Sequence, residues 1–127
     1  MKVGGINVTL IFEEKWDRTI AERDRKMYQD IYAKHPIQEG KLQFIPVRIA
    51  FNHRNDLLAS VCIVNGRDDW KLEDRLLSYF EHNTLIAEKR FTHELTVQAN
   101  TAVPWTFIFT PETMVLQATL QNWGISD

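Results

Sequence analysis

The chain has little of what usually announces a chemistry. It carries one cysteine, Cys62, so no internal disulfide can form. No run approaches the ~20 consecutive apolar residues that a membrane-spanning helix needs. Its 15 basic and 17 acidic side chains are interleaved and leave a net charge of −2, without the basic stripe that nucleic-acid binding calls for. A phosphate-cradling glycine loop, a nucleophile elbow and a zinc-protease helix are all missing. Composition and spacing therefore point to no enzyme, no catalytic residue and no cofactor. The amino end, MKVGGINVTLIFEEKW, reads as a strand rather than a secretory leader, because no small-residue cleavage site follows it. A cytoplasmic location is the simplest expectation.

The residues that could carry chemistry have plainer readings. His35, His53, His82 and His93 never fall at the i,i+2 or i,i+4 spacing of a strand or helix metal site, and each lies at an expected turn or element end. No metal is expected. Cys62 sits inside a hydrophobic strand, the setting of an inert buried thiol. Asp68, Asp69, Glu73 and Asp74 lack the glycine-bearing spacing of a calcium loop and alternate with Arg67, Lys71 and Arg75, which suits a solvated turn.

What the chain does have is β pattern. At 127 residues, 44 % hydrophobic and 25 % charged, it fits a single globular domain over residues 1–127. Its most sharply specified stretch is TAVPWTFIF, Thr101 to Phe109. Pro104 suits a strand start, and from there Trp105, Phe107 and Phe109 share one face. Aromatic side chains bury roughly 150 to 250 Å² each, so these three, with Trp123, are the expected structural core. Ile6 to Ile11 reads as a first strand and as a candidate edge. From Glu13 to His35 the pattern is helical, firmest from about Ala21 to Lys34, with Trp16, Ile20, Met27 and Ile31 on one stripe and Tyr28 and Tyr32 widening it.

Beyond the Pro36 to Lys41 loop the spacing predicts strands. Leu42 to Phe51 holds Pro46, a bulge or edge marker. Leu57 to Val64 ends at Asn65-Gly66, which suits the left-handed positions of a tight hairpin turn. Leu72 to Phe80 also satisfies helical spacing; the turn residues His82 and Asn83 favour a strand there, paired in a hairpin with Leu85 to Phe91. Short strands follow near Leu95 and Val97 and at Trp123 to Ile125. The whole is mainly β, an immunoglobulin-like β-sandwich with one amphipathic helix near the amino end.

The order Val64-Asn65-Gly66, Leu85 through Phe91 (LIAEKRF), Ala102 through Phe109 (AVPWTFIF) and Asn122-Trp123 resembles the SLAP domain, a family named for the accessory Sec system S-layer assembly protein of Bacillus relatives. Met27-Tyr28 and the PIQEGK loop resemble that family's tyrosine-bearing helix and P-P-L-K-x-G loop, the latter degenerate here. The resemblance spans roughly residues 21–125 and rests on structural motifs. It implies a non-catalytic protein–protein interaction or assembly module, accessory to protein export or envelope assembly, and carries over no active-site residue.

Candidate binding residues are Tyr28 and Tyr32 on the helix and Trp70, which stands alone in the polar run RDDWK as either a binding anchor or a cover over the sandwich end. The alternative function is a small-molecule or peptide binder with a pocket between helix and sandwich, lined by Tyr28, Tyr32, Trp16 and Trp70. The expected partner is a protein, with a homodimer through a sheet edge as a further possibility, since Gly4 to Phe12 offers a strand that a second protomer could accept.

Overall fold

The computed structural model describes residues 9–10 and 22–127. In chain order the elements are β1 (Thr9–Leu10), α1 (Glu22–Lys34), β2 (Leu42–Phe51), β3 (Leu57–Asn65), β4 (Trp70–Lys71), β5 (Arg75–Glu81), β6 (Thr84–Phe91), β7 (Thr96–Val97), β8 (Thr101–Phe109), a 3-10 turn at Pro111–Thr113, and β9 (Trp123–Ser126). The described chain is mainly β. Its strands form a sheet ordered β1-β8-β3-β2, a sheet ordered β6-β5-β9, and the pair β4-β7. The helix bounds match the sequence pattern, whereas the helical expectation before it, with Trp16 and Ile20, lies outside the described residues. Of the expected first strand, Thr9 and Leu10 are described, and they pair in parallel with Thr101 and Ala102 of the same chain.

β3 explains the layering. Every residue from Val61 to Asn65 is buried, because this strand is covered on both faces. Leu57, Ala59, Val61 and Ile63 join the main core between the two larger sheets, and Cys62 and Val64 join a second cluster with Tyr28 of α1, Ile37 and Ala102. Helix α1 therefore lies on the outer face of the four-stranded sheet. In the main core Phe91 of β6 meets Phe107 and Phe109 of β8 edge-on, with ring centroids 5.2 and 5.3 Å apart. Tyr79 of β5 packs at 6.0 Å from Phe109 and 5.9 Å from Trp123. Trp105 is the weakest member of the expected aromatic face, half-buried and set against the His93 ring at 5.9 Å.

Two proline expectations met different outcomes. Pro46 does sit on an edge strand, and the β2–β3 register shifts between Pro46 and Arg48, as a bulge requires. Pro104 does not start its strand. β8 begins at Thr101, and Pro104 is a buried mid-strand residue opposite Cys62. The physical reason lies in the ladder. Successive residues turn their polar groups to alternate sides, and among the described residues β1 pairs β8 at Thr101 and Ala102, so a missing N–H on that side breaks no described bond. Ile108 has the same parity, and its carbonyl accepts from Lys89 Nζ at 3.4 Å instead of from a further strand.

The β5–β6 hairpin is the tight one. Glu81 pairs with Thr84, and the two turn residues His82 and Asn83 have φ of 50° and 63°, the twist that suits a two-residue hairpin. Just before that turn Glu81 is 3 % exposed, yet charged. Its carboxylate accepts from Tyr79 Oη at 2.5 Å, from the Thr119 amide at 2.8 and 3.0 Å, from Thr119 Oγ1 at 2.8 Å and from the Leu120 amide at 2.8 Å. These bonds clamp the segment before β9 onto β5. Burial alone would raise the carboxyl's pKa, but the donors from Tyr79, Thr119 and Leu120 outweigh it and hold Glu81 below its ordinary range. Burial, and then the bond to Glu81, pushes the Tyr79 hydroxyl upward.

A carboxyl depressed in the folded state stabilises fully above its unfolded pKa, and that contribution is lost as pH falls through the folded pKa. Glu81→Gln should therefore lower stability at neutral pH by about 1–3 kcal/mol. It should also flatten the acid limb of the stability curve. Urea unfolding at a series of pH values below 7 checks both, and an unchanged acid limb would show that Glu81 does not carry it.

Candidate functional site

Three loops meet at the end of the four-stranded sheet where β3 stops and β2 and β8 start. The first follows α1. The His35 amide closes the helix on the Ile31 and Tyr32 carbonyls, each at 3.1 Å, and the chain then drops Ile37 into the second cluster. Gly40 takes φ +80°, a left-handed position that glycine adopts without strain. The second loop starts at Asn65-Gly66. These residues do not make the expected hairpin: β3 pairs with β2 and β8, and β4, which follows, pairs with β7.

Gly66 is also not the left-handed residue expected from the dipeptide. It is needed for closeness. A Cβ there would lie 1.9 Å from the Gln38 carbonyl oxygen. That approach lets the Gly66 amide donate to the Lys41 carbonyl at 2.7 Å while the Gly40 amide donates to the Gly66 carbonyl at 2.8 Å. Asn65 ties in the third loop. Its side chain is fully buried, and Nδ2 donates to the carbonyls of Val97 at 2.8 Å and Asp68 at 2.9 Å. Its Oδ1 accepts from the Arg67 amide at 2.9 Å, and its carbonyl accepts from the Asn100 amide at 2.9 Å. Asp69 adds a bond from the Ala99 amide at 2.8 Å.

Between these loops lies an open cleft of about 800 Å³. Ile37, 7 % exposed, contributes its apolar part, while Glu39, Arg67, Asp68 and Asn100 are exposed around it. Arg67 Nε donates to the Gly40 carbonyl at 3.2 Å. Among the described residues Arg67 forms no ion pair with Glu39 or Asp68, although all three line the same cleft.

The residues expected to bind do not gather here. Tyr28, 3 % exposed, fills the contact between α1 and the sheet, and half-buried Tyr32 packs beside it, its hydroxyl pKa raised by burial and then by Cys62. Trp70 is 4 % exposed and belongs to the main core, so it is no anchor presented from a turn. It meets Phe44 edge-on at 5.7 Å, and the Arg75 guanidinium lies 5.5 Å from its ring centroid. The two tyrosines and Trp70 thus sit on opposite faces of the four-stranded sheet and cannot line one pocket. Trp16 lies outside the described residues. Cys62 is wholly buried, and burial pushes its thiol up to about 12.

A smaller cleft of about 540 Å³ runs past Lys71, Glu73, His93 and Leu95. Among the described residues, no three metal-ligating side chains come together. No described helix is long and apolar enough to cross a membrane. Sequence reasoning missed Arg67 and Asn100, which carry no motif of their own. The usable signal is Asn65-Gly66, which adjoins Arg67 in the sequence but meets Asn100 only through a backbone bond.

A family model described as the SLAP domain matches residues 10–126. The chain belongs to the SLAP domain family. No curated protein and no solved structure matches it. The stretches that resemble the SLAP pattern take distinct places: LIAEKRF lies in β6, AVPWTFIF in β8 and Trp123 opens β9, while the PIQEGK loop and Asn65-Gly66 together build the cleft.

Substitutions separate closeness from backbone sign at this site. Gly66→Ala should cost about 1–3 kcal/mol, at the upper end because the obstacle is backbone. Gly40→Ala meets open space and should cost about 1 kcal/mol for its left-handed φ. Urea midpoints give both values, and equal losses would overturn the distinction. Asn65→Ala should lose about 2–4 kcal/mol, since it leaves several buried partners unpaired. Amide exchange at Arg67 and Asn100 should speed up more than at Glu81.

Proposed function

We propose that this SLAP-family chain is a non-catalytic interaction module that holds a protein partner at the loop-end cleft, in the service of protein export or envelope assembly. The observation that carries the reading is the composition of that cleft. A rigidly stitched rim presents one guanidinium, one amide and two carboxylates around an apolar residue. Mixed polar groups on a preorganised frame suit recognition of a polypeptide surface. Family membership supports the export setting, through the protein for which the SLAP domain is named. A cytoplasmic location and self-association through a sheet edge belong to the same proposal. We also read the two larger sheets, facing each other over an aromatic core, as an immunoglobulin-like sandwich.

Site-specific photo-cross-linking in the cells that make the protein tests the reading. A cross-linker placed at Glu39, on the cleft, should give one dominant protein adduct. The same group at His53, in the loop between β2 and β3, should not. Equal labelling from both positions, or none from Glu39, would count against docking at the cleft. An unchanged set of secreted and surface proteins in a deletion strain would remove the export setting.

A further inference from the structure

Asn65-Gly66 is the one Asn-Gly pair in the sequence, and such a pair carries a reactivity of its own. The backbone nitrogen that follows an asparagine can attack the side-chain amide carbon, and glycine hinders that attack least because it has no Cβ and turns freely. The folded protein holds both reactants away from the step. The Gly66 amide donates to the Lys41 carbonyl at 2.7 Å, and its α-carbon lies so close under the Gln38 carbonyl that the peptide has no room to swing. The Asn65 amide is pinned at both of its ends. Its Nδ2 donates to the Val97 and Asp68 carbonyls at 2.8 and 2.9 Å, and its Oδ1 accepts from the Arg67 amide at 2.9 Å. Ring closure has to break these bonds in a fully buried setting.

We propose that Asn65-Gly66 is a latent deamidation site, closed in the folded protein and open in the unfolded chain, whose product cannot rebuild the end of the sheet that carries the cleft. Once the loops part, the Gly66 nitrogen gives up its proton and bonds to Asn65 Cγ. The Cγ–Nδ2 bond breaks, Nδ2 leaves as ammonia with that proton, and a succinimide ring joins the two residues. Water then opens the ring at one or the other of its carbonyls and leaves an aspartyl or an isoaspartyl residue at position 65. The overall change is amide plus water to acid plus ammonia, with nothing oxidised or reduced. Neither product fits. The aspartyl carboxylate sets an oxygen and a charge where Nδ2 donated, facing the Val97 and Asp68 carbonyls, and a buried charge turned toward acceptors is strongly unfavourable. The isoaspartyl form routes the main chain through the former side chain and adds a carbon to it just where Gly66 has to fit against Gln38 and Lys41. Unfolding of this end, reversible in itself, becomes a one-way loss the longer the chain stays open.

The test follows each asparagine by peptide mass in the full chain, held at mildly alkaline pH in native buffer and in guanidinium chloride. Asn83, Asn100 and Asn122 are followed by Thr84, Thr101 and Trp123 rather than by glycine, and serve as internal comparisons. In guanidinium chloride Asn65 should convert faster than any of them. In native buffer its conversion should slow roughly tenfold or more, because it then waits on an opening that breaks several buried hydrogen bonds. After return to native buffer, the fraction converted should match the fraction that fails to recover native tryptophan fluorescence. Gly66→Ala, compared in guanidinium chloride where its effect on folding does not enter, should slow conversion at Asn65 roughly tenfold, the equivalent of a small steric rise in the barrier. Equal rates in the two buffers, faster conversion of a comparison asparagine in guanidinium chloride, full refolding of the converted chain, or an unchanged rate in Gly66→Ala would each overturn the proposal.

Discussion

A strand covered on both faces can place a polar side chain only where it ends, and β3 is such a strand. From Val61 to Val64 nothing but apolar side chains and the Cys62 thiol is tolerated, since one face lies in the main core and the other under α1. Asn65 is the first position where an amide can be satisfied, and it is satisfied by carbonyls and an amide of two loops. A neutral amide in a buried setting loses far more when unpaired than it gains when paired, so those loops have one permitted arrangement. The geometry of the cleft follows from where β3 runs out of core.

The opposite solution appears at Glu81. There a full charge is buried, and the structure surrounds it with hydroxyl and amide donors rather than moving it to the surface. Both cases tie a loop to a strand end through a side chain aimed inward. They differ in what they respond to. The Asn65 network has no titratable member, while the Glu81 clamp weakens with acid. The Asn65 bonds at the cleft thus join neutral groups, whereas the clamp before β9 is built on a buried charge.

Local patterns were legible wherever the local chain sets the outcome. The helix bounds, the bulge at Pro46, the turn at His82-Asn83 and the strands β6 and β9 all depend on neighbours within a few residues. Two readings failed, and one stayed open between alternatives, because the deciding partner is far away in sequence. Pro104 looks like a strand start until β8 is seen to begin at Thr101, where it pairs with β3 on one side and with Thr9 of β1 on the other, and Gly66 looks like a turn residue until the Gln38 carbonyl is placed against it. Trp70 sits among charges in the sequence, yet short pairing with Val97 turns its ring into the core. Polar neighbours describe only one side of a strand.

The same contrast decides which residues can carry specificity. Asn65 and Gly66 stand in the family's recognisable pattern, but the frame itself accounts for each, Asn65 by its buried hydrogen bonds and Gly66 by close packing, so their presence reports the frame. Glu39, Asp68 and Asn100 hold nothing together through their side chains among the described residues, and Arg67 contributes one exposed bond to a carbonyl. These positions can vary with little effect on the fold that presents the cleft. Recognition placed on side chains that the frame does not need is separable from folding, which is how one architecture can serve different partners. Search for function in this protein therefore belongs beside its motif, at the exposed side chains that the motif holds in place.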